Sequence, residues 1–318
     1  MNDTTPLPND ASREHLMVQV ARMTYQQDKS QTEIALETGL NRWQVARLLA
    51  DARDTGVVRI EIVPRNHRLP DLESRLLRAF GLRDAVVVPT DAGGDAVALV
   101  AGAYLAGLRP RPDVVGVSWG RTMAEVAHWL PEGWAQGVTV VQINGTVAPK
   151  PQARGHNDVA ETFAVKGNGR FVPLPVPAIV GARETRDILM RDRIVSDVIN
   201  IAKGAKLLCF SFGALGEDSA LVHSGNLLAS EVEALLKAGA VGDILGHIID
   251  AEGRIIAPDI DARTIGLDLG TLAQAERSVG VAYGAQKHAV TRAALRAGLV
   301  NTLVTDEDTA IFALEQTT

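Results

Sequence analysis

Cysteine is nearly absent from this chain: Cys209 stands alone among 318 residues. One thiol cannot close a bridge within the chain, so a disulfide scaffold is excluded and a reducing, cytoplasmic compartment is expected. Aromatic residues are scarce at 4%. The core is therefore expected to be built from Val, Ile, Leu and Ala. Long apolar runs are missing too. The longest mostly apolar stretch, Ala96 to Leu108, falls far short of the ~20 residues that span a bilayer. Residues 1–10 show no basic segment followed by an apolar one, so neither a secretory leader nor membrane association is expected. Neither sign of charge dominates, with a net charge of −6. What remains is ordinary globular composition, 46% apolar and 22% charged, in a chain long enough for about two domains.

The charge is unevenly spread. Residues 1–68 balance nine basic against nine acidic side chains, so residues 69–318 carry the whole negative excess. Residues 40–68 hold six Arg against three acids. A basic segment in an acidic protein is the pattern expected where one part meets a polyanion.

That segment lies within a helical pattern. Glu14 to Tyr25 reads as a first helix, with Leu16, Val20 and Met23 at helical spacing. Ser30 followed by Glu33 reads as a capping box opening a short helix, Gln31 to Thr38. Gly39 permits a left-handed turn, and Asn41 caps a third helix from Arg42 to about Thr55, stopped by Gly56. Two short helices across a glycine turn make a helix-turn-helix. Ile34, Leu40, Val45 and Leu48 are its expected core. Trp43 and Arg47 lie opposite the inward stripe of Val45, Leu48, Leu49 and Ala52. An exposed Trp beside Arg near a helix N-terminus suits a recognition helix in a major groove. Candidate DNA contacts are Gln31 and Asn41 at helix starts, then Arg42, Trp43, Gln44 and Arg47. Arg53 and Arg59 are further phosphate contacts. Val57 to Val63 reads as a strand, and Arg65 to Pro70 as a linker.

Beyond the linker, apolar runs alternate with helical patterns. Asp71–Phe80, Asp95–Leu105, Thr122–Leu130, Leu227–Lys237, Ala285–Ala297 and Asp308–Leu314 read as helices. Ala85–Val88, Val114–Val117, Val138–Ile143, Lys206–Phe210, Arg254–Ile256 and Leu299–Thr305 read as strands. Alternation of this kind predicts an α/β fold with a mostly parallel sheet covered by helices. Ligands of such sheets sit at the carboxyl ends of strands.

Four turns there carry chemistry. Val117-Ser118-Trp119-Gly120-Arg121-Thr122 joins a strand to a helix. Helix-start amides, two hydroxyls and Arg121 suit a phosphate. It is neither a Walker loop nor a full G-x-G-x-x-G. Gly116, Ser118 and Gly120 also match G-x-S-x-G, the nucleophile elbow of hydrolases, with Asp250 or Asp268 before His288 as partners. In the second turn, Asn144 can orient a sugar hydroxyl and Gly145 allows close backbone approach. The third, Gly239 to Gly246, encloses the single acid Asp243, placed to accept from ligand hydroxyls. His247 and Asp250 follow, without the further ligands a metal needs, so no metal is expected. The fourth, Gly280 to Lys287, sets Lys287 at a helix start. A bound phosphate would resolve its conflict with the helix dipole.

Together these pieces resemble the SorC, or sugar-binding, family of bacterial transcriptional regulators. The resemblance rests on Ser30-Gln31-Thr32-Glu33-Ile34-Ala35, Arg42-Trp43-Gln44-Val45-Ala46-Arg47-Leu48-Leu49, Gly239-Ala240-Val241-Gly242-Asp243 and Leu303-Val304-Thr305-Asp306-Glu307. It implies a helix-turn-helix head over residues 1–64. A Rossmann-like effector and oligomerisation domain, similar to glucosamine-6-phosphate deaminase and ribose-5-phosphate isomerase, would follow over 65–318. It implies a tetramer on double-stranded operator DNA, answering a phosphorylated sugar or sugar alcohol, with no cofactor and no catalysis. Residues Ser118, Gly120, Arg121, Thr122 and Lys287 would hold the phosphate. Asp243, with Asn144 and Gly145, would meet the hydroxyls. Some relatives carry Lys where this chain has Asn144, which cannot form a Schiff base. The rival expectation is a sugar-phosphate isomerase or deaminase, with Asp243 as base and Lys287 as electrophile.

Overall fold

The structure, a computed structural model, describes residues 10–58, 68–147, 158–216 and 219–315. The chain divides into two compact units, Met1–Val63 and Pro64–Thr318.

In the first unit, α1 spans Asp10–Tyr25, α2 Gln31–Thr38 and α3 Arg42–Asp54. The first helix thus starts four residues before the expected Glu14. Both halves of the Ser30–Glu33 capping box form: the Glu33 amide donates to Ser30 Oγ at 3.3 Å, and the Ser30 amide donates to the Glu33 carboxylate at 2.8 Å. Gly39 ends α2 at φ 72°, where a Cβ would be strained. Ile34, Val45 and Leu48 are fully buried together with Val20, and Leu40 packs against them. The Arg13–Asp51 ion pair at 2.5 Å ties α1 to α3. Val57 and Val58 form a bend. The rest of the expected strand, with Arg59, and the linker positions 65–67 lie outside the described residues.

In the second unit the elements run in order. After α4 (Pro70–Phe80) come β1 (Asp84–Val88), α5 (Gly93–Gly107), β2 (Val114–Val117), α6 (Arg121–Trp129) and β3 (Thr139–Gln142). Next are α7 (Val159–Lys166), β4 (Arg170–Val172), α8 (Arg183–Arg191), α9 (Arg193–Lys203) and β5 (Leu207–Gly213). Then come α10 (Ala220–His223), α11 (Ala229–Lys237), β6 (Gly242–Ile244), β7 (His247–Ile249), α12 (Pro258–Asp261) and α13 (Leu269–Gln274). The last are β8 (Arg277–Ala282), α14 (His288–Arg296), β9 (Thr302–Asp306) and α15 (Glu307–Leu314). The sheet order is β1-β9-β8-β5-β2-β3-β4, all parallel, with the β6–β7 hairpin added antiparallel to the end of β5.

Both sheet faces are buried, and strand alternation divides the core. Ala85, Val87, Val141, Leu208 and Phe210 face one cluster, with Leu76 of α4, Ile199 of α9 and Val290 of α14. Val86, Val88, Val140, Leu207 and Cys209 face the other, with Leu105 of α5, Met123 of α6 and Phe163 of α7. The Cys209 thiol is sealed inside, and burial pushes its pKa up to about 12.

Three expectations need correction. Arg254–Ile256 is not a strand: only an isolated bridge joins Ile249 and Ile255. The Asp250 carboxylate accepts from the Glu252 and Arg254 amides at 3.0 and 2.9 Å and curls the chain into a turn. The expected helix at Ala285 begins instead as a 3₁₀ turn, Ala285–Lys287, before α14. The last strand starts at Thr302 rather than Leu299, because α14 ends in a left-handed Gly298 and the chain must reverse first.

Candidate functional site

The order of the sheet fixes where the site lies. From β2 the chain winds outward through β3 and β4; from β5 it winds the other way through β8 and β9. The direction switches between β2 and β5. In open α/β sheets this is where a crevice forms at the carboxyl ends of the strands. Ser118 follows β2, Asn144 follows β3, Ser211 lies near the end of β5, and Lys287 follows β8. These four strands are consecutive neighbours in the sheet.

Lys287 gathers the cluster. Its ammonium donates to Thr122 Oγ1 at 2.7 Å and to Ser211 Oγ at 2.8 Å. Burial, reinforced by nearby Arg121, lowers its pKa to about 8, while Glu125 and Asp243 oppose the shift. Arg121 and Thr122 open α6 behind Gly120, whose φ of 132° suits glycine alone. A glycine cap supplies no side-chain acceptor, so no cap side chain occupies the first-turn amides. Beside them, Ser118 is 2% exposed and its Oγ has no hydrogen-bond partner. Asn144 is equally buried, and its Oδ1 also lacks one. Buried polar atoms of this kind call for a ligand or water.

Asp243 completes the polar lining from the β6–β7 hairpin. Burial raises its pKa, against the Gly246 amide, which donates to Oδ2 at 2.9 Å, and the charges of His247 and Lys287. A Cβ on Gly213 would stand 1.8 Å from Asp243 Oδ1, so only glycine lets the two strands bring this carboxylate in. Gly145 is pinned: its amide donates to the Ile265 carbonyl at 2.9 Å, and its carbonyl accepts from the Trp119 indole at 2.6 Å. Tyr283 donates to the Glu125 carboxylate, and burial with that carboxylate raises its pKa.

The hydrolase reading finds no support. Gly116 is glycine for packing, since a Cβ there would meet Ile143 and Leu208 at 2.5 Å. Ser118 Oγ touches no base, Asp250 holds Arg254, and Asp268 caps α13. Among the described residues no three His, Cys, Asp or Glu side chains gather as metal ligands, and no helix is long and apolar enough to cross a membrane.

On the head, Trp43 is 68% exposed and the Arg47 guanidinium lies over its ring at 5.4 Å. Arg42, Asn41 and Gln31 are exposed as well. Gln44 differs from its neighbours: it closes a second capping box, its carboxamide oxygen accepting from the Asn41 amide at 2.9 Å. Sequence reasoning missed Ser211 and the β6–β7 hairpin. A lone serine inside the apolar run Cys209-Phe210-Ser211-Phe212 was the available signal for the first.

A helix-turn-helix joined to a doubly wound, ligand-receiving α/β unit defines a class, the effector-controlled transcriptional regulators. A family described as "Putative sugar-binding domain" matches residues 65–315. The chain belongs to this sugar-binding family, the SorC-type regulators that its motifs resemble. It is 33% identical over 311 residues to the deoxyribonucleoside regulator of Bacillus subtilis, covering 95% of this chain and 97% of that one. It is 32% identical to the transcriptional regulator LsrR of Klebsiella pneumoniae, covering 94% and 92%. The crystal structure of the full-length sorbitol operon regulator SorC from Klebsiella pneumoniae superposes with a TM-score of 0.71 at 27% identity, covering 94% and 98%.

Proposed function

We propose that residues 1–64 bind double-stranded operator DNA, and that residues 65–318 bind a phosphorylated sugar or sugar alcohol that changes that affinity. The names of two relatives speak of a deoxyribonucleoside and of sorbitol. One observation carries the reading. Lys287, bridged to Thr122 and Ser211, stands beside the open first turn of α6 and the unpartnered Ser118 hydroxyl. Gly120, Arg121 and Thr122 with Ser118 and Lys287 hold the phosphate; Asp243, Asn144 and Gly145 meet the hydroxyls. Arg42, Trp43 and Arg47 reach base edges, and Gln31, Asn41 and Gln44 hold the helix starts against the DNA backbone. The working assembly is a homotetramer in the cytoplasm. The effector acts by binding one quaternary arrangement better than another, and shifts the balance by that difference alone.

The test is a thermal-shift screen of the full chain against sugars, polyols and their phosphates, with Lys287→Ala beside it. A ligand at 100 times its Kd adds ~2.7 kcal/mol of stability. A phosphorylated hit that the variant loses, and that alters operator binding, is the expected result. Shifts from unphosphorylated polyols alone, unchanged in the variant, overturn the phosphate assignment. Turnover of pentose or hexose phosphates, abolished by Asp243→Asn, would replace the regulator by an enzyme.

A further inference from the structure

His247 has no part in the reading above, and its surroundings are unusual. It is 6% exposed and opens β7, directly after the Leu245-Gly246 turn. Its Nδ1 lies 2.5 Å from Asp261 Oδ1, and its Nε2 lies 3.0 Å from the Leu267 carbonyl oxygen. Both partners are acceptors. A neutral imidazole carries one N–H, so one nitrogen would turn a lone pair toward an oxygen at contact distance. With Asp261 as a carboxylate, two hydrogen bonds require two ring N–H groups, which makes the ring an imidazolium; the alternative, a neutral ring, would need Asp261 to carry the shared proton. Asp261 and Asp243 are the charged groups that bear on it.

The two contacts join different parts of the site. His247 shares its hairpin with Asp243, facing Ile244 while Asp243 faces Ile248. Leu267 belongs to a segment that lies along the backbone after β3. The Leu267 amide donates to the Ile143 carbonyl at 2.9 Å, Gly266 bridges Asn144, and the Ile265 carbonyl accepts from Gly145. A Cβ on Gly266 would stand 2.9 Å from the Ile143 carbonyl oxygen and 3.0 Å from Asn144 Cα, so the segment presses directly on Asn144. One buried ring thus connects the hairpin bearing Asp243 to the segment backing Asn144.

We propose that His247 is a positioning residue held as an imidazolium, which donates from both ring nitrogens and thereby sets the spacing between Asp243 and Asn144. That spacing matters for an effector only if the reading under Proposed function holds, but the clamp is tested without any ligand. The experiment is ring-¹⁵N spectroscopy of selectively histidine-labelled full-length protein at neutral pH, with His247→Gln identifying the resonances. Both His247 nitrogens are expected in the protonated range, each coupled to its own hydrogen. A single non-protonated nitrogen overturns the proposal. Hydrogen exchange supplies the second measurement. His247→Gln should exchange at least tenfold faster over residues 243–248 and 261–268, and His247→Arg, a planar cation with several donors, should restore most of the protection. Equal loss in both variants would mean that the ring only fills space, and would overturn the clamp even if both variants fold. An effector screen without hits would remove the sugar reading and leave both of these results standing.

Discussion

The head and the α/β unit place their working residues by opposite means. In the head, every determinant lies within a few turns of chain. Ser30 caps through Glu33, Asn41 caps through Gln44, and Trp43 meets Arg47 one turn away. In the α/β unit, Lys287 reaches Thr122 across 165 positions and Ser211 across 76. Short-range chemistry lets a recognition surface be written in one stretch of sequence. The proposed effector site forms only once seven parallel strands are ordered, which would couple ligand contacts to the packing of the whole sheet. A ligand that bridges β2, β5 and β8 therefore acts on the body of the unit, as a regulator requires.

The sharpest way to break this comparison is to unfold one side. Ile34 is fully buried in the head. Ile34→Ala removes packing worth ~2–5 kcal/mol. Operator binding should vanish, while the calorimetric transition of the α/β unit and its response to ligand persist. A single transition that moves as a whole would show that the two units share their stability.

Next in size is a change to the α/β site by one methyl group. Gly213→Ala places a Cβ where Asp243 Oδ1 now stands, 1.8 Å away. The carboxylate must move within a closed core, at a cost of ~1–3 kcal/mol. For a unit of this size the melting temperature should fall by about 2–4 °C per kcal/mol. Polyol affinity should fall with it, and non-specific DNA binding should stay unchanged. Unaltered ligand affinity would remove Asp243 from the site.

The same contrast explains what could be read in advance. Capping boxes, a turn glycine and a 3.6-residue stripe are local, so the three helices of the head emerged nearly whole from its sequence, apart from the extra turn at Asp10 and the second use of Gln44, while Val57 and Val58, expected to open a strand, form a bend. The strands with clean apolar runs, such as Val114–Val117, were equally legible. The β6–β7 hairpin was not: its three-residue strands are broken by glycines and hold a buried acid and a buried histidine, which read as loop. Ser118, Asn144 and Lys287 could be singled out by residue type in the turns after strands, and Asp243 as the one acid in a glycine-rich apolar run. Their convergence could not, because it depends on strand order, and Ser211 escaped because nothing local marks it as neighbour to Lys287. The β7 histidine illustrates the limit best. Sequence alone gave it no role, since the further ligands a metal needs are missing around it, whereas both of its nitrogens are spoken for by Asp261 and Leu267.

A third comparison sharpens the head itself. Arg47, stacked on Trp43, is exposed and is the proposed reader of base edges, whereas Arg53 is exposed in the last turn of α3. Arg47→Ala should cost ~1–3 kcal/mol of discrimination at one base-pair position. Arg53→Ala should weaken all sequences alike and lower the salt-dependence slope by about 1. Titration of operator and scrambled duplexes at several salt concentrations separates the two. Identical behaviour of both variants would deny α3 its role as the reading helix.

The smallest effect is a pH dependence that only the α/β unit should show, and it comes with two opposite signs. Lys287 has its pKa lowered to about 8, chiefly by burial, from the ordinary 10.5. Between those values the unfolded chain holds a proton that the folded protein lacks, so folding is favoured as pH rises. The contribution is complete above 10.5 and lost as pH falls through about 8. Anion binding runs the other way, because the ammonium that receives the anion disappears above about 8. Sulfate is the proper probe, since its own charge is constant over this range. Its affinity should be level at pH 6–7 and about tenfold weaker near pH 9, one unit above the transition. In Lys287→Ala the sulfate profile should be weak and flat, and the alkaline gain in stability should disappear with it. Loss of one effect without the other would mean that the lysine which titrates is not the lysine that holds the anion.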